Sequence, residues 1–168
     1  TIMDNKFIGT GVKLPADQTM TLMMGNTEDC LILISHEGYL QYIPESLLPF
    51  AIVEAMRLGK TDHLVAAFPI QHDDTILVMT QVGKVIHRTS ESLETAADLG
   101  RKGYMLYSSA RRKGGVRVIG AATVQPDDWA YILHTSGQIT QHLALTLFGK
   151  GAIDVEGELL DFVVYQNN

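Results

Sequence analysis

The sequence predicts an all-β chain, a propeller-like repeat of antiparallel blades, about three in number. Three observations carry that expectation. The first is an alignment of three stretches on a turn glycine: TEDCLILISHEGYLQYIPESLL (27–48), HDDTILVMTQVGKVIHRTSESL (72–93) and PDDWAYILHTSGQITQHLALTL (126–147), with Gly38, Gly83 and Gly137 in register. Nine residues before each glycine stands an aspartate (Asp29, Asp74, Asp128), and what lies between is mostly apolar. After each glycine comes a long polar or aromatic residue (Tyr39, Lys84, Gln138) and then an aliphatic one (Leu40, Val85, Ile139). The second is an apolar strand just before each aspartate, at 19–24, 64–70 and 117–124, with a fourth copy at 159–165 that no hairpin follows. The third is a glycine–lysine pair after each hairpin: Gly59-Lys60, Lys102-Gly103 and Lys150-Gly151.

Taken in order, residues 1–15 bend at Gly9 and Gly11, and 20–24 form a short apolar run. Each hairpin pairs a β-branched, apolar arm with a second extended arm across a short turn, as 75–80, Gln81-Val82-Gly83 and 84–88 do. The turn glycines lie 45 and 54 residues apart, the length of a propeller blade. A unit this small buries no core of its own and packs on its neighbours. The chain is therefore expected to be one repeat domain over 1–168, with repeats of approximately 19–63, 64–116 and 117–168. The competing fold is an ordinary antiparallel barrel or sandwich. Helix is expected only locally, in 44–59 through Leu47, Leu48, Ile52, Ala55 and Met56, and in 90–99.

Composition narrows the class. An apolar share of 46% with 19% charged residues belongs to a packed domain and not to a disordered chain. The single cysteine, Cys30, rules out an intrachain disulfide and fits a reducing, cytoplasmic setting. The apolar runs are too short to span a bilayer as helices, so no membrane association is expected, and TIMDNKFIG has no secretory-signal pattern. Opening on Thr1, the sequence reads as a trimmed chain or a piece of a longer one.

Charge is unevenly placed. Between Lys84 and Arg117 lie eight basic residues, Lys84, Arg88, Arg101, Lys102, Arg111, Arg112, Lys113 and Arg117, against three acids, a net of +5. The remainder holds five basic and sixteen acidic residues, a net of −11, giving −6 for the chain. An acidic protein with one cationic segment is equipped for local anion binding. In the string RRKGG at 111–115, guanidinium groups suit bidentate phosphate contacts, and paired glycines let backbone approach a bulky ligand. Lys84 and Arg88, four apart on an extended arm, share a face, and Arg101 and Lys102 open the next turn. The alternative is a solvated loop whose charges serve solubility.

No other constellation converges. His36, His63, His72, His87, His134 and His142 are scattered without zinc spacing. His72-Asp73-Asp74 suggests a metal or a base, yet Asp74 is the repeated turn aspartate, expected to accept local backbone hydrogen bonds. There is no nucleophile elbow, P-loop or dinucleotide fingerprint, so no catalytic residue, metal or cofactor is assigned. Tyr104 and Tyr107 flank the basic run and are expected to pack, as is Trp129.

At these residues the chain resembles the C-terminal domain of the DNA gyrase A subunit and its topoisomerase IV counterpart. A blade of that family runs acid, short apolar strand, T-x-x-G, basic or polar strand, small loop and glycine–lysine turn. DDTILVMTQVGKVIHRTSESL matches best, EDCLILISHEGYLQYIPESLL nearly as well through Ile43-Pro44, and the third copy more loosely. The resemblance implies a β-pinwheel, in which adjacent blades exchange strands. It also implies a non-catalytic module that wraps duplex DNA beside the catalytic core of a bacterial type II topoisomerase. The family's QRRGGKG box is absent as such. Its nearest string is RRKGG at 111–115, inside the insertion that lengthens the second repeat. The eight cations above are the expected phosphate contacts. A homodimer is expected, since two copies supply six hairpins. The alternative function is a protein-interaction module that has lost DNA wrapping.

Overall fold

The computed structural model describes residues 30–48 and 53–166. The expected strand at 19–24, the aspartate Asp29 and the start of the first repeat lie outside these residues. Strand accounts for 46% of the structure and helix for 11%, as an all-β repeat requires. Ten strands run in chain order: β1 (Cys30–Ser35), β2 (Tyr39–Ile43), β3 (Leu64–Ile70), β4 (Thr75–Thr80), β5 (Val85–Thr89), β6 (Tyr104–Met105), β7 (Val118–Val124), β8 (Trp129–His134), β9 (Ile139–Leu143) and β10 (Leu159–Tyr165). Two short helices, α1 (Ser109–Lys113) and α2 (Ala144–Leu147), interrupt them.

The three expected hairpins are β1–β2, β4–β5 and β8–β9, all antiparallel. Their turns share one geometry. The N–H of each turn glycine donates to the carbonyl three residues earlier, Gly38 to Ser35, Gly83 to Thr80 and Gly137 to His134, each at 2.9 Å. All three glycines have φ between 83 and 88° or at 75°, in the left-handed region where a Cβ is penalised. The Thr80 hydroxyl accepts the Lys84 N–H at 2.9 Å, and Ser35 does the same for Tyr39 at 3.2 Å. That is the physical content of the T-x-x-G spacing. The repeated aspartates are also local fixtures, since Asp74 accepts from Gln71 N–H at 2.8 Å and Asp128 from Gln125 N–H at 2.7 Å.

Strand pairing is out of phase with the strand–aspartate–hairpin unit of the sequence. β3, β7 and β10 pair with the hairpins before them, giving the sheets β3-β1-β2-β6, β7-β4-β5 and β10-β8-β9, here called blades one, two and three. The fourth strand copy, β10, which no hairpin follows, thus completes the third hairpin. β6 follows the second hairpin in sequence yet joins the first, with Tyr39 opposite Met105. Residue Ala152, after the third hairpin, likewise bridges Lys84 of the second. Blades one and two are therefore each closed by chain from the next, which is strand exchange.

The blades stack through apolar faces. Ile32, Ile34 and Leu40 of blade one pack with Ile76, Val78 and Ile86 of blade two. Leu77, Met79 and Val85 on its other face pack with Ala130 and Ile132 of blade three. A strand with neighbours on both faces must be apolar throughout, which is why TILVMT reads as a continuous run and not an alternation. Burying each such side chain contributes about 1.5–3 kcal/mol. A third cluster covers the other face of blade one with Met56, Leu47, Leu48 and Leu99 around Leu33 and Ile43. The expected helices at 44–59 and 90–99 do not form among the described residues. Only one-turn 3₁₀ segments stand there, Glu45–Leu47 and Ser90–Ser92, because their apolar residues serve as lids and bridging strands over blade one.

Candidate nucleic-acid interface

Three of the eight expected cations converge. Lys84 stands just before β5 and Arg88 lies near its end, four residues on, while Arg111 comes from α1. They line a groove of about 370 Å³ with His87, Tyr107, Gly149 and Gly151, and no acidic residue lines it. Arg88 and Arg111 are exposed, whereas Lys84 is half-buried. Burial, and then the charges of Arg111 and Arg88, hold the Lys84 ammonium below the usual lysine range. Like charges this close, with no acid to neutralise them, form a seat for an anion. His87 stacks on Phe148 with ring centroids 4.3 Å apart, and burial beside Arg88 lowers its pKa.

The string RRKGG is not the exposed loop that its composition suggests. Residues 109–113 form a helical turn, so successive side chains point about 100° apart. Arg111 turns to the groove and Lys113 to solvent, but Arg112 turns inward to Glu37 at 3.0 Å, with only 26% and 11% of the two side chains exposed. Arg117 also folds back, donating to the carbonyls of Arg112 and Val116 at 2.8 Å each. Gln81 clamps the following loop to the second hairpin, donating to the Gly115 carbonyl at 2.7 Å and accepting the Arg117 N–H at 2.6 Å. Gly114 and Gly115 close the helix end, their N–H groups bonding to the Ala110 and Arg112 carbonyls. Arg112 and Arg117 thus hold the segment in place, while Arg111 and Lys113 remain presented.

Arg101 and Lys102 stand apart from the groove. They line a separate pocket of about 420 Å³ that also holds Glu94 and Asp98. Arg101 pairs with Asp98 at 3.1 Å, and the Lys102 ammonium lies 4.3 Å from the centre of the Tyr39 ring.

The tyrosines beside the basic run are packed. Burial pushes the Tyr107 hydroxyl up to about 12, so it stays protonated and donates toward the Val116 carbonyl at 2.9 Å, with the Glu37 carbonyl at 3.1 Å. Burial raises Tyr104 to about 12 as well. Trp129, expected in the core, is 36% exposed because its face of blade three has no neighbour among the described residues. His72, Asp73 and Glu91 bring ligand atoms within 4.8 Å of one another, but all three are exposed and none is held by a buried partner. Glu37 and Gln81 are the residues that sequence reasoning missed. Their only signal is position, just before and at the start of the turns that carry the insertion's weight.

The sequence matches no protein-family model and no curated protein. The fold is similar to those of three solved C-terminal domains. One is the C-terminal domain of DNA topoisomerase IV, 21% identical over 81% of this chain and 46% of that one, with a TM-score of 0.68. Another is the E. coli ParC C-terminal domain, 16% identical over 92% of this chain and 68% of that one, with a TM-score of 0.69. A third is the DNA gyrase A C-terminal domain, 13% identical over 84% of this chain and 51% of that one, with a TM-score of 0.64. The chain thus spans about half the length of the first and third. These likenesses, with the exchanged strands, establish the β-pinwheel fold. No helix among the described residues is long and apolar enough to cross a membrane.

Proposed function

We propose that the chain is a non-catalytic module that binds duplex DNA through its phosphates, an accessory domain beside the catalytic core of a type II topoisomerase in the bacterial cytoplasm. The observation that carries this reading is the acid-free gathering of Lys84, Arg88 and Arg111 in one groove. Lys113, at the end of the same helix, extends the cationic surface. The likeness to topoisomerase C-terminal domains supports it. Contacts of this kind read backbone charge and not sequence, and no element among the described residues is shaped as a recognition helix for the major groove.

The test is the salt dependence of duplex binding. Each phosphate neutralised contributes about −0.9 to the slope of log affinity against log salt. Alanine at Lys84, Arg88, Arg111 and Lys113 together is expected to make that slope shallower by about 3–4 units. Arg112 and Arg117 stay in place because they hold the segment. Duplex binding that is undetectable at low ionic strength, or a slope unchanged in the quadruple variant, would leave the protein-interaction module as the better reading.

A pH dependence accompanies it. Because Lys84 titrates below an ordinary lysine, it loses its charge first as pH rises, and a bound phosphate raises its pKa again. Affinity for duplex DNA is therefore expected to fall on the alkaline side earlier than exposed lysines alone would make it. Lys84→Arg should remove that early fall, since a guanidinium stays charged. Titrating affinity against pH for the two proteins decides it.

A further inference from the structure

Three cations act on one another across the groove beside β5. After burial, the charges of Arg111 and Arg88 are what hold the Lys84 ammonium below the usual lysine range, so both guanidinium groups bear on it. No acidic residue lines the groove, while the chain as a whole carries −6. An anion is therefore drawn here by local charge against the protein's overall charge. Val85, Ile86 and Leu106 supply apolar wall. One sign of charge between low-dielectric walls focuses the field into a cleft.

Size and charge select the ligand. A volume of about 370 Å³ lies in the range of small-ligand sites, roughly 300–1,000 Å³. In a duplex each phosphodiester carries a single negative charge, and successive phosphates are spread along the strand. One such group leaves two of the three cations without a counter-charge. A phosphate monoester carries about −1.5 to −2 near pH 7, and two phosphoryl groups sharing a bridging oxygen carry more in a compact volume. Guanidinium groups meet phosphoryl oxygens bidentately, and an ammonium meets them as a point charge. A diphosphate thus matches the charge of this groove where a single diester does not.

The groove is also composite. Lys84 and Arg88 belong to the second hairpin, Arg111 to the helix that follows the exchanged strand β6, and Gly149 and Gly151 to the segment after the third hairpin. The Gly151 carbonyl accepts the Val85 N–H at 3.1 Å, and two residues on the Ile153 N–H reaches the Gly83 carbonyl at 2.8 Å. Gly149 and Gly151 have φ of 72° and 70°, and a Cβ on either would meet nothing within 4 Å among the described residues, so a ligand can approach their backbone. A ligand seated here touches three distant segments beside the bonds that latch blade two.

We propose that this groove is a seat for a compact diphosphate, either inorganic pyrophosphate or the diphosphate group of a nucleotide, and that its occupancy tightens the latch of blade two. The ligand shares the groove assigned above to duplex DNA and competes with it, but the seat does not rest on that reading.

Calorimetric titration of the protein with pyrophosphate at low ionic strength tests this. Saturable one-to-one binding is expected, at least about tenfold tighter than binding of dimethyl phosphate, a monoanionic diester. Arg88 and Arg111 have exposed side chains whose loss leaves the core intact, and Arg88→Ala or Arg111→Ala should each weaken pyrophosphate binding about tenfold. Arg101→Ala removes a charge outside the groove and should leave it unchanged. ADP in a parallel titration separates the two sources. Binding tighter than that of pyrophosphate brings the apolar walls into the site and makes a nucleotide the ligand, whereas binding no tighter makes it pyrophosphate, and both support the seat. No saturable binding, equal affinity for dimethyl phosphate, or an equal loss in Arg101→Ala would each overturn it. Duplex binding with a shallower salt slope in the quadruple variant, but without pyrophosphate binding, would sink the seat and spare the DNA reading. Pyrophosphate binding without duplex binding would do the reverse. Hydrogen exchange reads the latch, since pyrophosphate should slow exchange of the Val85 and Ile153 amides, and unchanged rates would overturn the tightening.

Discussion

Gly103→Ala is expected to destabilise the fold by about 2–5 kcal/mol, read as a lowered urea midpoint at unchanged slope. Gly103 has φ of 78°, where a Cβ costs about 1–2 kcal/mol. An added Cβ would also run into the Leu40 carbonyl, a backbone atom held in the sheet of blade one. No rotamer change relieves that contact. The strand carrying Gly103 must back away from β2 and give up the Leu106 to Gly38 hydrogen bond. The glycine–lysine repeat therefore has a packing reason here, with the glycine seating the exchanged strand against its host.

Arg112→Ala is expected to cost about 2–3 kcal/mol, somewhat under the value for a fully buried pair because both side chains keep some solvent. It leaves Glu37, 8% exposed, facing α1 without its guanidinium partner. Removing both partners should cost less than the sum of the single changes, and a double-mutant cycle in urea measures the difference. The same variant separates holding from binding. Arg112→Ala should leave the DNA salt slope nearly unchanged, while Arg111→Ala, one residue away, should make it shallower by about one unit.

Much of the fold was legible because its determinants are local. T-x-x-G works within four residues, and so do the aspartate turns at Asp74 and Asp128. Strands β3, β4 and β10 stand where their apolar runs stand. What was not legible depends on distant chain. Whether β3 pairs forward or backward cannot be told from LVAAFPI, since the choice is made by which hairpin edge lies beside it. The helical spacing in 44–59 did not become a helix among the described residues, whose apolar side chains Leu47, Leu48, Ala55 and Met56 pack over blade one. At the site, charge count found the right segment and could not say which way each cation turns. Arg111 and Arg112 differ by one helical step, and Glu37, 75 residues away, decides what the second one does. For β8 the sequence was silent too, since WAYILH is as apolar as TILVMT, and its open face shows only in the alternating burial of its side chains.

Strand exchange also sets an order on synthesis. The first hairpin is complete at Ile43, but its sheet waits for Tyr104 and Met105, and the second waits for Ala152. On a ribosome adding about 5–20 residues per second, the gap from Ile43 to Met105 lasts about 3–12 s. Throughout that time the edge of β2 is bare and able to pair with the wrong strand. The nascent chain cannot mature blade by blade from its N-terminus. Blades one and two are each latched only after the next has emerged, so one cut between β5 and β6 would unlatch the blade before it.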